Sequence, residues 1–162
     1  MYIFFVLKEG RVMINSKTTT ENTEMLDRMY KNVKMSSDSV INIISHAKDT
    51  SLRSELTSQL DTYERYGKTL GKMITDAGGR PTDEGMISKV SAKLGVAMNT
   101  MTDSSTSHLA RMVIEGAALG MADMTKIVRE FENTPCSEAS LSLAREIAAA
   151  QEGSINKMKK FL

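Results

Sequence analysis

Apolar side chains recur at steps of three and four residues through most of this chain, which is the spacing of one face of an α-helix. A first series predicts a helix over about residues 21–48, and a second runs from Leu52 to the glycine pair at 78 and 79, a strong signal for a helix end. The last series follows Thr134 and Pro135, a cap residue and a proline that favour a helix start. The apolar faces of these three series comprise Leu26, Met29, Val33, Val40, Ile43 or Ile44 and Ala47; then Leu52, Leu56, Leu60, Tyr63, Gly67, Leu70, Ile74 and Ala77; and finally Leu141, Ala144, Ala148, Gln151, Ile155, Met158 and Leu162.

Residues 81–133 hold two further series that are separated by a polar run. Thr82 or Asp83 can cap the first of them, and the polar side chains of residues 102–107 compete with helical backbone hydrogen bonds, so we expect a break there. In the second, Gly116, Ala117 and Gly120 predict a close approach to a neighbouring helix. The apolar positions are Met86 or Ile87, Val90, Leu94, Ala97 and Met101 before the break, and Leu109, Met112 or Val113, Met124, Ile127 or Val128 and Phe131 after it.

The lengths of the connections predict how these helices are arranged. The short link at residues 49–51 forces an antiparallel hairpin, and the link near residues 133–135 does the same for the last two long helices. A long crossover joins the two hairpins. The pattern therefore predicts an all-α, ferritin-like up-down-down-up four-helix bundle with a short helix in the long crossover.

The first residues follow a different pattern. An apolar run from Tyr2 to Leu7 precedes Lys8, Glu9 and Gly10, whose codons can contain a bacterial ribosome-binding sequence about seven nucleotides before Met13. We expect residues 1–20 to be a disordered extension or a product of an incorrectly assigned start, with the true start at Met13, and residues 21–162 to form one domain. A short strand or an apolar anchor is the alternative, and the intact mass of the native protein distinguishes them.

Composition narrows the classes of function. Lys and Arg number 21 and Asp and Glu number 20, so the chain has no overall field that would gather nucleic acid or an anionic membrane. No stretch reaches the roughly 18 apolar residues of a membrane-spanning helix. The single cysteine, Cys136, indicates a reduced cytoplasm. With 13 methionines and no tryptophan, we expect an aliphatic and thioether core.

A helical bundle with histidines suggests a di-iron centre, which the sequence tests directly. Such sites take a Glu from each of two helices and a Glu-x-x-His from each of the other two. Three residues after Glu64 stands Gly67, and three residues after Glu152 stands Ile155; Glu146 is likewise followed by Ala149. Neither half of the motif is present.

The remaining chemistry-bearing residues form no complete site. His46 and His108 fall near helix ends, where histidine is commonly a surface or capping residue. Cys136 falls at a predicted helix start, where the helix dipole could lower its pKa, but no histidine marks it as a nucleophile. The chain has no phosphate-binding loop and no Cys-x-x-Cys motif. We therefore expect no catalytic residue, no cofactor and no metal ligand, and an enzyme is the less favoured interpretation.

The stretch from Ser107 to Met121 and the ending from Ile155 to Leu162 resemble a group of uncharacterised ferritin-like helical-bundle proteins of Gram-positive anaerobes and their relatives. The resemblance covers most of the chain after about residue 24. Members of the group begin this helix with Ser-His-Ile-Ala-Glu-Met, and Arg111 stands here in place of the acidic residue. The resemblance implies the fold and no settled activity.

Three functions follow as hypotheses. The first is a metal-free bundle with a structural or protein-interaction role in the cytoplasm, self-associating as a homodimer or binding a protein partner, without nucleic acid or membrane. The second is a non-haem iron or manganese redox or storage protein with a non-standard site made of Glu64, His108, Glu115 and Glu152. The third, suggested only by the hosts of the resembling proteins, is a packing protein of spores or the cell envelope.

Overall fold

The computed structural model describes residues 16–82 and 101–162, and the side-chain surroundings from residue 20 onward. These residues form helices α1 (Ser16–Ile44), α2 (Thr50–Asp76), α3 (Thr106–Phe131) and α4 (Glu138–Met158), followed by a 3-10 turn at Lys159–Phe161. Helix α1 begins inside the segment that was expected to be an extension. The predicted start at Met13 and most of the predicted crossover helix lie outside the described residues.

The connection between α1 and α2 is set by two local caps. Helix α1 ends at Ile44, four residues before its predicted end, where the backbone N–H of His46 bonds the carbonyl of Ile43 at 3.0 Å. Asp49 then caps α2 by accepting a hydrogen bond from the N–H of Leu52 at 2.7 Å. The resulting link of residues 45–49 is short, so α1 and α2 form the expected antiparallel hairpin.

The glycine pair ends α2, as predicted. Gly78 has a φ of +82°, in the left-handed region that glycine enters without strain, and its N–H bonds the carbonyl of Thr75. A methyl group at Gly79 would lie 2.8 Å from Cγ2 of Thr23 on α1, so this position has no room for a side chain. The chain then turns toward α1, where the Thr82 hydroxyl donates a hydrogen bond to the Asp27 carboxylate.

The predicted start of the last helix at Thr134 and Pro135 is wrong. Thr134 closes α3 instead, because its hydroxyl bonds the carbonyl of Phe131 at 2.7 Å. Ser137 is the cap of α4, and its hydroxyl oxygen accepts from the N–H of Ser140 at 3.1 Å. The expected break at residues 102–107 is confirmed for residues 102–105, which are not helical. Residues 106 and 107 already belong to α3, whose cap Ser105 accepts from the N–H of His108.

Contacts between the helices establish their directions. The starts of α1 and α4 meet, since Asn22 accepts a hydrogen bond from the Ser140 hydroxyl at 2.8 Å. Helix α1 runs opposite to α3, because Arg28 pairs with Glu130 and Asn32, one turn later on α1, bonds Gly120, which is earlier on α3. Contacts from Tyr66 to Glu146 and from Gln59 to Ser154 make α2 and α4 antiparallel as well. The up-down-down-up order is thereby confirmed.

The core is built mainly from the predicted apolar faces, with three corrections. Leu162, which the pattern assigned to the last face, is exposed. Ile147 and Ser154 on α4 are buried, although the pattern assigned Ala148 and Ile155, which are only partly buried. The predicted close approach holds at Gly120 but not at Gly116, which is exposed. No helix in the described part of the chain is long and apolar enough to span a membrane. The largest fully buried side chains are Met25, Leu26, Met29, Ile43, Leu52, Leu56, Leu70, Ile74, Leu109, Met124 and Ile127.

Candidate functional site

The middle of the bundle contains a layer of buried polar side chains. Asn32 on α1, Gln59 on α2, and Gln151 and Ser154 on α4 are all buried, and Gln151 is 0% exposed. Helix α3 contributes the backbone carbonyl of Gly120, so all four helices take part. Buried polar groups in proteins are generally hydrogen-bonded, and each of these four side chains bonds one other member of the layer, Gln151 to Asn32 and Ser154 to Gln59.

Asn32 organises one half of this layer. Its amide nitrogen Nδ2 donates to the carbonyl of Gly120 at 3.0 Å and to Oδ2 of Asp123 at 2.9 Å. Two acceptors fix the orientation of this amide, so its oxygen Oδ1 must face Gln151, whose Nε2 donates to it at 2.9 Å. The orientation of Gln151 follows in turn, and its carbonyl oxygen Oε1 is left buried without a hydrogen-bond partner among the described residues. An unpaired buried acceptor costs about 1–3 kcal/mol.

Ser154 organises the other half. Its hydroxyl donates to Oε1 of Gln59 at 2.5 Å, and Nε2 of Gln59 reaches Oε1 of Glu55 at 3.5 Å. Burial raises the pKa of the Tyr63 phenol, and a hydrogen bond with Ser154 partly offsets this rise. Glu55 connects the layer to the surface, because Nζ of Lys157 lies 3.5 Å from its carboxylate.

These side chains do not fit the di-metal centre that the bundle architecture suggests. Gln151 and Ser154 keep the i, i+3 spacing of a Glu-x-x-His motif, but they place a neutral amide and a hydroxyl where the motif has a carboxylate and an imidazole. Amides and hydroxyls supply no negative charge or imidazole nitrogen for a transition metal. Within residues 16–82 and 101–162, no group of three or more His, Cys, Asp or Glu side chains is arranged to hold a metal ion.

The four residues that formed the alternative metal site lie outside this layer. Glu64 on α2, Glu115 on α3 and Glu152 on α4 are exposed to solvent. His108 is half-buried in the first turn of α3, with its Nδ1 at 3.9 Å from the carboxylate of Asp103. The described structure does not bring these residues into one cluster.

His46 and Cys136 both serve local structure. Nδ1 of His46 lies 3.0 Å from the carbonyl of Asn42, at the end of α1. Cys136 precedes α4 by two residues rather than standing within its first turn. Burial raises the pKa of the Cys136 thiol, the carboxylates of Glu21 and Glu24 add to the rise, and a hydrogen bond from Thr134 partly offsets it. The expected effect of a helix dipole on this thiol therefore does not dominate.

A cavity of about 580 Å³ opens between α1 and α3 and reaches the polar layer. The exposed side chains of Met35 and Leu119, 47% and 74% accessible, are part of its wall. Sequence reasoning missed this cavity and the polar layer. The available signal was Gln151 within an otherwise apolar face, together with Asn32 and Gln59 next to apolar positions. The remaining lining residues are Arg28, Lys31, Asn32, Ser36, Ser39, Val40, Ile43, Gln59, Tyr63, Val113, Gly116, Ala117, Gly120, Asp123 and Ser154.

Comparison with known proteins gives similarity in fold without similarity in sequence. No family model matches the chain, and no curated protein does. A Dps1 variant of Mycobacterium smegmatis has a similar structure, with a TM-score of 0.73, 11% identity, and coverage of 91% of this chain and 98% of the other.

Two further structures resemble the chain. One is a dodecameric thioferritin of Bacteroides fragilis, a bacterioferritin-related protein, with a TM-score of 0.69, 11% identity, and coverage of 90% of this chain and 89% of that one. The other is a conserved hypothetical protein of Mycobacterium tuberculosis, with a TM-score of 0.59, 11% identity, and coverage of 93% and 100%. Together with the helix order and directions, these similarities show that the chain has the ferritin-like four-helix bundle fold.

Proposed function

We propose that this protein is a ferritin-like bundle that works without a di-metal centre, as a structural or protein-interaction module of the bacterial cytoplasm. The observation that supports this proposal is the hydrogen-bonded layer of Asn32, Gln151, Gln59 and Ser154 in the middle of the bundle. These side chains already bond one another, so a metal ion is not required to hold the four helices together. Their neutrality also removes the mutual repulsion that a cluster of buried carboxylates would have without a metal.

Elemental analysis tests the proposal. The full chain is expressed with added iron and manganese, purified aerobically without chelators, and analysed for both metals. We expect less than about a tenth of an equivalent of either, since dedicated metal sites hold their ion through purification. About one equivalent or more, lost on substitution of Glu115→Gln or His108→Ala, would instead support the iron or manganese protein that uses Glu64, His108, Glu115 and Glu152.

Self-association is the second part of the proposal. The similar thioferritin of Bacteroides fragilis is dodecameric. In this chain, the side chains of Met35, Ile41 and Leu119 are large, apolar and exposed, which is typical of surfaces that bind another protein when they form a contiguous patch. A homodimer is the simplest assembly, because two-fold dimers are the commonest soluble oligomers.

A further inference from the structure

The cavity between α1 and α3 has the size and composition of a small-molecule site. Its volume of about 580 Å³ falls within the range of about 300–1,000 Å³ that ligand pockets occupy. The space arises because small side chains face one another across the groove. A methyl group at Gly116 would meet only the Ser39 hydroxyl, at 3.7 Å, so the helices do not close on each other at this position.

The cavity is polar at one end and apolar at the other. Asn32 and Asp123 lie at the end nearer the start of α1, while Val40, Ile43 and Val113 line the opposite end. Asn32 and Ile43 are separated by about 16 Å along the helix, at 1.5 Å per residue. This arrangement matches a ligand with a polar head and an aliphatic tail.

Charges and hydrogen bonds at the polar end select the chemistry of the head. The cations that line the cavity are already engaged, since Arg28 pairs with Glu130 and Lys31 lies 2.8 Å from Asp27. The Asp123 carboxylate also lines the cavity, and it has no ion-pair partner among the described residues. Asp123 is exposed to solvent and is the acidic side chain of the lining, so its carboxylate is left to attract a cationic head group.

The two amides at and behind this end accept fewer hydrogen bonds than their oxygens can, since Asn32 accepts one from Gln151 and the Gln151 oxygen accepts none within the described residues. Both N–H bonds of the Asn32 amide are used, on Gly120 and Asp123. Gln151 lies behind Asn32 and does not line the cavity. Its buried carbonyl oxygen has no hydrogen-bond partner among the described residues, and its Nε2 lies 2.9 Å from Asn32 and 3.5 Å from Ser36, two residues of the lining. An ammonium group carries three donors and no acceptor.

We propose that this cavity binds an amphipathic amine, with its protonated amino group at Asn32 and Asp123 and its aliphatic chain extending toward Ile43 and Val113. This site goes beyond the structural role proposed above and does not depend on the metal content of the protein. The carboxylate of Asp123 provides charge complementarity for the head, and the apolar walls provide the burial that favours binding of the tail.

Three probes with the same tail test the proposal by isothermal titration calorimetry on the full chain at neutral pH. Octylammonium, 1-octanol and octanoate differ only in the head. We expect octylammonium to bind at one site per chain with a Kd below about 1 mM, and octanoate to bind at least about tenfold more weakly. Equal affinity for the cation and the anion would overturn the proposal.

Two substitutions separate the contributions of tail and head. Gly116→Leu fills the cavity and should abolish binding, whereas the matched Gly116→Ala should retain it. Asp123→Asn keeps a hydrogen-bond acceptor but removes the charge, so it should weaken octylammonium binding about three- to tenfold and leave 1-octanol unchanged. Circular dichroism confirms that each variant is folded, and if Gly116→Leu does not fold, the Asp123→Asn comparison decides alone.

Absence of binding by all three probes would also overturn the proposal.

Discussion

Gly116 and Gly120 lie one turn apart on α3, yet a methyl group would meet different surroundings at each. At Gly120 it would lie 2.6 Å from Nε2 of Gln151, whose amide is held by Asn32. We expect Gly120→Ala to lower the free energy of unfolding by about 1–3 kcal/mol through overpacking. At Gly116 the nearest atom is 3.7 Å away, so Gly116→Ala should raise stability by about 0.5–1 kcal/mol through helix propensity. Urea denaturation of the two variants measures both changes in the free energy of unfolding, and changes of equal size and sign would contradict this account.

Tyr66 stabilises the folded protein at neutral pH, and this stabilisation is lost at alkaline pH. Its hydroxyl donates to Oε1 of Glu146 at 2.9 Å. Burial raises the pKa of the Tyr66 phenol, the Glu146 carboxylate raises it further, and Arg65 partly offsets the rise. Because the folded state holds this proton more tightly than the unfolded state, the resulting stability is complete below pH about 10 and is lost as the pH rises through the folded pKa.

The phenol can be removed without losing the aromatic ring. We expect Tyr66→Phe to lower the free energy of unfolding at pH 8 by about 1 kcal/mol and to make its decline above pH about 10 less steep than in the unsubstituted protein. Glu146→Gln removes the neighbouring charge and should also reduce the decline. Denaturant titrations at several pH values measure this, and a decline in Tyr66→Phe parallel to that of the unsubstituted protein would count against the assignment.

Single residues were also the hardest part to predict from sequence. Gln151 stands at a position that the helical period assigns to the core, and a polar residue there indicates either an error in the pattern or a buried hydrogen bond. Its partner Asn32 is 119 residues away in the chain, so no local pattern could join the two. The polar layer could therefore be recognised only in the packed structure.

At the scale of the element, helices were predictable but their ends were not. The three-and-four spacing identified the described helices because each buries one continuous face, and glycine at the end of α2 marked a conformation that other residues rarely adopt. The start of α4 was misplaced because Thr134 and Ser137 are both competent caps, and the sequence does not show that Thr134 bonds backward to Phe131.

The choice of cap at α4 can be tested directly. Ser137 accepts from the N–H of Ser140, while its own N–H bonds Asn22 on α1 at 3.1 Å. We expect Ser137→Ala to lower the free energy of unfolding by about 1 kcal/mol, the usual cost of losing a helix cap. Ser137→Asp, which supplies another cap oxygen, should keep most of the free energy of unfolding that Ser137→Ala loses. A loss of the same size in both variants would show that capping is not the role of the hydroxyl.

At the scale of the whole molecule, the topology followed from the lengths of the connections, since short links leave adjacent helices no arrangement other than antiparallel. The cavity did not follow, because it depends on the separation of α1 and α3, two helices that are distant in the chain and pack through small side chains. The same gap leaves the apolar side chains of Met35 and Leu119 exposed.

Assembly is the property that those exposed side chains predict. We expect the full chain to be a dimer by gel filtration with light scattering at tens of micromolar, and Leu119→Ser to shift it toward the monomer. The matched substitution Ala122→Ser changes an exposed residue on the same helix and should leave the dimer intact. A clean monomer of the unsubstituted protein would contradict self-association.

We infer that the neutral layer around Asn32 and Gln151 holds the bundle together without a metal. The most direct test is the free energy of unfolding of the full chain, measured with a chelator and again, under anaerobic conditions, with excess Fe²⁺ or Mn²⁺. A metal ion that binds the folded state and is present at a hundred times its Kd would raise the free energy of unfolding by about 2.7 kcal/mol. This holds even if the ion had been lost during purification, because it is added back in the measurement. We expect values that agree within about 0.5 kcal/mol; stabilisation by either ion of about 2 kcal/mol or more would contradict the claim.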